Sequence, residues 1–169
     1  MLPEYRTILY ATDLGRTAPG VLRHALGLAA RYGGRVVCVH AVEPLGPSAR
    51  HMVELYAGAG ASGGVEGQRW RELQRSLVAR LEAFCREESC HAADGRDLLA
   101  EVRVERGRPD QVILEEARRV GADAIVMGSH GHTSVGELFV GSTAHRVVQR
   151  AAVPVLLVRV AEADTASRV

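Results

Sequence analysis

Short apolar runs of strand length alternate along the chain with longer stretches whose apolar residues recur every three or four positions. That alternation predicts parallel α/β structure. Thr7–Thr12 is the first strand-like run. Thr17 is placed to cap the next helix, and Pro19 suits its first turn. Leu22, Ala25, Leu26, Ala29 and Ala30 then repeat at helical spacing until Gly33-Gly34 ends the pattern. Arg35–Val42 reads as a second strand, and its near-continuous apolar run suits a strand covered on both faces.

Residues 44–68 break the alternation. Two prolines and six glycines make this segment a long loop or lid, with a short helical piece around Met52–Tyr56. Trp70–Glu88 is predicted as a second helix, with Leu73, Leu77, Leu81 and Phe84 as its core stripe. Leu98–Glu105 alternates Val102 and Val104 against Glu101, Arg103 and Glu105, as expected of a strand near a sheet edge. Pro109–Val120 is a third helix, Ala124–Gly128 a fourth strand, Ser142–Ala151 a fourth helix and Val153–Val160 a fifth strand. The tail 161–169 is small and polar and is expected to be disordered.

The chemistry concentrates between the fourth strand and the fourth helix. Gly128 and Gly131 stand just after an apolar run, and Gly141 is followed by the hydroxyls of Ser142 and Thr143 at a helix start. Glycines let a backbone approach a ligand closely and reach positive φ. Unpaired N–H groups at a helix start, with hydroxyls beside them, suit a phosphate. The passage reads as a mononucleotide site built without a P-loop lysine.

The spacing Gly128-x2-Gly131-x9-Gly141-Ser142 resembles the nucleotide-binding signature of the universal stress protein family. The resemblance extends to Ile8–Asp13, Val36–Val42, Gly107-Arg108-Pro109 and Val153–Val158, while 44–68 matches nothing in it. It implies a single domain over residues 1–160. The implied fold is a doubly wound α/β sheet of five parallel strands, order 3-2-1-4-5, with helices on both faces. Such a fold is Rossmann-like, of the adenine nucleotide alpha hydrolase kind. Strands one and four are then neighbours where the chain reverses direction, and ligands bind at such switch points beyond the carboxyl ends of the strands.

The resemblance also implies which residues meet the nucleotide, expected to be ATP, with ADP or AMP as alternatives. Ala11, Thr12 and Asp13 follow strand one, and Asp13 is expected to bond the base or ribose, or to help hold Mg or Mn on the phosphates. As a bland alternative, Asp13 is a turn residue. Ala41 matches a position whose backbone contacts adenine. Met127 would line the base or ribose wall, and Gly128, Gly131, Gly141, Ser142 and Thr143 would cradle phosphate. His132 stands where a basic residue is frequent and would bind phosphate when protonated. His130 and His132 read equally well as loop side chains in water, and His40 reads as a satisfied core histidine.

Composition narrows the classes of function. A net charge of +1 gives no electrostatic case for nucleic acid or an anionic membrane. No apolar stretch reaches the length of a membrane helix, and the N-terminus lacks the layout of a signal peptide, so a cytoplasmic location is expected. Three cysteines, an odd number, make no disulfide framework. Cys38 is expected to be buried and inert, and Cys85 and Cys90 to be ordinary thiols near a helix end. No P-loop, no Gly-x-Gly-x-x-Gly after strand one and no nucleophile elbow is present. The expected role is a nucleotide-dependent regulator in a stress response, with a slow ATP hydrolase or phosphotransferase as the alternative. A homodimer is expected through the apolar edge Val153–Val158, with an unknown protein partner downstream.

Overall fold

Five strands form one parallel sheet: β1 (Thr7–Ala11), β2 (Arg35–Val42), β3 (Leu99–Arg106), β4 (Ala124–Gly128) and β5 (Val155–Val158). Their order is β3-β2-β1-β4-β5, the order that the family resemblance implies. The helices are α1 (Ala18–Tyr32), α2 (Gly63–Ser89), α3 (Pro109–Arg119) and α4 (Ser142–Arg150). The computed structural model describes residues 2–44, 46, 63–89, 97–129 and 140–159. Gly131, His130, His132, Cys90, the Met52–Tyr56 piece and the tail 161–169 lie outside the described residues.

The strand sequences explain the layering. All five residues of β1 are buried, so both of its faces need cover. On one face Ile8, Tyr10, Val36, Cys38 and Val126 pack with Leu22, Ala25 and Leu81 from α1 and α2. On the other, Leu9, Val37, Val39, Ile125 and Met127 pack with Ile113, Ala117, Ala144 and Val147 from α3 and α4. The period of two along each strand assigns alternate residues to the two layers.

Four local expectations are corrected. Thr17 does not cap α1 through its side chain: its backbone is already helical (φ −86°, ψ −7°), which leaves the hydroxyl without a capping bond. Helix α2 starts at Gly63 rather than Trp70, so residues 63–68 of the expected loop are helical. Each glycine there costs about 1 kcal/mol of helix propensity, but extending an existing helix avoids the nucleation penalty. Leu73 is exposed, whereas Trp70, Leu77, Val78, Leu81, Phe84 and Cys85 reach the core. A strict four-residue repeat advances about 40° beyond a full turn at each step, so the stripe drifts off the buried face. Gln74 instead faces β3, where its Nε2 donates to the Val104 carbonyl at 2.7 Å and covers part of the edge. Finally, β5 begins at Val155, because Pro154 has no N–H for the ladder and contributes its carbonyl to Ile125 N–H at 2.9 Å.

The two described cysteines, Cys38 and Cys85, are both buried free thiols. They form a hydrogen-bonded pair in the α1/α2 layer, and that bond, reinforced by burial, holds Cys38 above the usual thiol range. Ion pairs finish the opposite layer. Arg103 of β3 meets Glu116 of α3 at 3.1 Å. Arg108 reaches the fully buried Asp110 at 3.0 Å in the first turn of α3, where the helix dipole also favours a carboxylate.

Tyr10 gives a pH prediction. Its side chain is fully buried and its hydroxyl donates to the Ala18 carbonyl at 2.9 Å. Burial pushes its ionisation well above the usual tyrosine range. As pH rises through about 10, this tyrosine ionises in the unfolded chain but not in the folded one. The folded state then binds more protons, and stability falls with rising pH. Urea unfolding between neutral pH and about pH 11 should show a shallower alkaline loss in Tyr10→Phe than in the parent chain. Equal slopes would show that Tyr10 is not the group responsible.

Candidate functional site

A cavity of about 350 Å³ opens at the carboxyl ends of the strands, beyond the neighbouring ends of β1 and β4. Nine residues singled out from the sequence line it: Ala11, Thr12, Asp13, Ala41, Met127, Gly128, Gly141, Ser142 and Thr143. They come from four separate segments, so only the fold brings them together. Gly131 and His132, the other two expected there, lie outside the described residues.

The inner wall is apolar, from Val39, Ile113, Met127 and Ala144 on one side of the sheet and Ala18 and Val21 on the other. One rim carries carboxylates, Asp13 and Glu43. The start of α4 also lines the cavity. There the N–H of Gly141 donates to the Ser129 carbonyl at 2.8 Å, and the first bond of the helix runs from His145 N–H to the Gly141 carbonyl at 2.9 Å. The N–H groups of Ser142, Thr143 and Ala144 therefore precede the ladder, and the N-cap, being glycine, has no side chain to cap them. No arginine or lysine is among the described residues that line the cavity. An anion at the start of α4 would be met by N–H groups, two hydroxyls and the helix dipole.

Gly141 itself has φ −57° and ψ 150°, a conformation open to any residue. Positive φ is therefore not what glycine supplies here, contrary to one half of the sequence argument. The other half, close approach of backbone to ligand, remains.

The loop after β1 is tightly determined. Thr12 Oγ1 accepts from Leu14 N–H at 3.0 Å, and Asp13 Oδ1 accepts from Gly15 N–H at 2.8 Å. Leu14 is held at φ 61°, a conformation that costs a non-glycine residue about 1 kcal/mol or more. Asp13 thus does act as a turn residue, while its carboxylate also borders the cavity.

Sequence reasoning passed over several lining residues. His40 is half-buried at the cavity rather than enclosed in the core, and its ring nitrogen Nδ1 lies 2.8 Å from the Thr12 carbonyl. Ser129 is buried and links three elements: its N–H donates to Val158 and its carbonyl receives Gly141. The available signals were positional: His40 immediately precedes Ala41, and Ser129 sits inside the Gly128-x2-Gly131 spacing.

The family model described as universal stress protein matches residues 4–159. The chain belongs to the universal stress protein family. A universal stress protein of Thermus aquaticus is 36% identical over 155 residues, covering 92% of this chain and 99% of that one. Universal stress protein MJ0577 of Methanocaldococcus jannaschii is 29% identical over 160 residues, covering 92% of this chain and 95% of that one. The solved structure of MJ0577 superposes with a TM-score of 0.66 at 24% identity, over 94% of this chain and 98% of the other. A universal stress protein solved in complex with cAMP superposes with a TM-score of 0.59 at 20% identity, over 92% and 97% of the two chains. Among the described residues, no helix of this universal stress protein is long and apolar enough to cross a membrane.

Proposed function

We propose that this universal stress protein binds an adenine nucleotide, ATP ahead of ADP or AMP, and acts as a nucleotide-dependent regulator in a cytoplasmic stress response. The observation that carries this reading is that one cavity joins an apolar wall to the glycine-led start of α4. A flat apolar base and a polyanion require those two environments side by side. The base would lie along Val39, Ala41 and Met127. Its ribose would face Thr12 and Asp13, and the phosphates would meet Gly128, Gly141, Ser142 and Thr143, with Gly131 and His132 completing the loop. The carboxylates of Asp13 and Glu43 favour that orientation, since they repel phosphate and accept from hydroxyl or amino groups. The cAMP of one solved relative is an adenine nucleotide and accords with that class.

Among the described residues no three His, Cys, Asp or Glu side chains form a metal cluster. A Mg or Mn ion would enter with the nucleotide, on its phosphates, and Asp13 would serve as a carboxylate toward it only in the alternative pose that turns the phosphates to the end of β1.

Mass spectrometry of nucleotide retained through purification, followed by calorimetry with ATP, tests this reading. Stoichiometric retention without turnover is the expected result. Sustained phosphate release would establish the hydrolase instead, and neither retention nor heat of binding would remove the nucleotide reading.

We also infer a homodimer through β5. This strand is a sheet edge with Leu156 exposed, and Val148 on the neighbouring α4 is exposed too. A second copy related by a two-fold axis would pair the edge and bury these side chains. Light scattering should give twice the chain's 18.2 kDa. A monomer mass that persists at high micromolar concentration would overturn it.

A further inference from the structure

Thr12 is the residue at which β1 leaves the sheet, and it is gripped at both ends of its peptide. Its N–H donates to the Val39 carbonyl at 3.0 Å, and its carbonyl lies 2.8 Å from His40 Nδ1. Three further hydrogen bonds in this turn are short-range. Leu14 N–H reaches Thr12 Oγ1, Gly15 N–H reaches Asp13 Oδ1, and Ala18 N–H reaches the Gly15 carbonyl at 3.0 Å. These local bonds shape the turn but do not anchor it to another element. The two bonds to Val39 and His40 tie it to β2.

His40 is covalently joined to Ala41, and its ring holds the residue before Asp13. One imidazole therefore spans the gap between Asp13 and Ala41, which line the same cavity from two neighbouring strands. The chemistry also settles the ring's protonation. A carbonyl oxygen can only accept, so Nδ1 must carry the hydrogen. In the neutral ring, Nε2 is then the acceptor.

We propose that His40 is a positioning residue. It sets the distance between the Asp13 carboxylate and the Ala41 backbone by donating from Nδ1 to the Thr12 carbonyl. The strained Leu14 makes that hold consequential: a turn with a residue at φ 61° has an incentive to relax if its anchor is lost. The proposal rests on the nucleotide reading above for its ligand, but the ring geometry is testable without one.

The test has a spectroscopic arm and a binding arm. In protein labelled with nitrogen-15 at histidine, ring correlation spectra of the full chain should show His40 protonated on Nδ1. A ring protonated on Nε2 alone would overturn the proposal whatever the ligand. For binding, ATP is the probe and calorimetry the readout. His40→Leu should weaken ATP by about tenfold, the order expected for one lost polar anchor. His40→Asn, whose amide nitrogen sits close to the position of Nδ1, should stay within about threefold of the parent chain. Thermal melts of both variants establish that the binding protein is folded. In an Asp13→Ala background, His40→Leu should have little further effect, because a residue acting through Asp13 has nothing left to position. Equal losses in both backgrounds would overturn positioning in favour of an independent contact. If the parent chain does not bind ATP, the nucleotide reading fails and the tautomer measurement alone decides the role of His40.

Discussion

Gly141→Val should bind ATP about a hundredfold more weakly than the parent chain, or worse, and yet fold normally. The size follows from what the α4 start would lose. Backbone donors to a phosphate form charge-assisted bonds worth roughly 1.5–3 kcal/mol each, and each 1.4 kcal/mol is tenfold in affinity. A β-branched side chain at the N-cap would stand between the cavity and the N–H groups of Ser142 and Thr143. The folding half of the expectation comes from the backbone. At φ −57° and ψ 150°, valine meets no conformational penalty at this position. Replacing glycine by valine at an N-cap costs about 1 kcal/mol, which a domain of this size tolerates. Calorimetry with ATP beside a thermal melt separates the two effects. Undiminished affinity in folded Gly141→Val would place the phosphates elsewhere and remove the proposed cradle. Loss of folding would instead show that the start of α4 has less room than its backbone angles imply.

The sheet was legible because its signals are local. The apolar runs at Thr7–Thr12 and Arg35–Val42 can only be strands covered on both sides, and Gly33-Gly34 marks the end of α1 with a left-handed Gly33 at φ 61°. Much of the candidate site was legible for a different reason. Asp13, Ala41, Gly128 and Gly141 sit at strand ends or a helix start, and a switch-point topology must bring such positions together. What escaped depends on contacts between distant segments. Thr17 has the right side chain for a cap but a backbone that does not use it. Leu73 follows a four-residue repeat that has rotated off the buried face, while Gln74 finds a carbonyl on β3 thirty residues away. His40 reads as core from its neighbours in sequence. Only the arrival of Thr12 beside its ring, twenty-eight residues earlier in the chain, shows its other face.

Glycine substitutions on either side of the α1–β2 turn should shift stability in opposite directions. Gly34→Ala should destabilise the fold by about 2–3 kcal/mol, whereas Gly27→Ala should stabilise it by up to about 1 kcal/mol. A methyl group on Gly34 would lie 2.5 Å from the Arg6 carbonyl oxygen and 2.7 Å from that of Tyr5. Both obstacles are backbone, and neither can yield cheaply. The Arg6 carbonyl accepts the Arg35 N–H at 2.8 Å, the bond that opens the β1–β2 ladder. Behind it, Asp123 Oδ2 accepts from the N–H groups of Arg6 and Thr7 at 2.9 and 2.8 Å, and the Asp123 N–H returns to the Thr7 carbonyl at 2.8 Å. The segment is thus pinned to β2 on one side and to the start of β4 on the other. Making room for a methyl group must stretch at least one of these bonds. Gly27 lies in the middle of α1 on its exposed side, with nothing within 4 Å of an added methyl. There alanine only restricts the unfolded chain and raises helix propensity. For a domain of this size each kcal/mol moves the melting temperature by about 2–4 °C, so the two variants should separate by several degrees about the parent. Melting curves that coincide would show that the Tyr5–Thr7 segment shifts freely and that its pinning by Asp123 is weak.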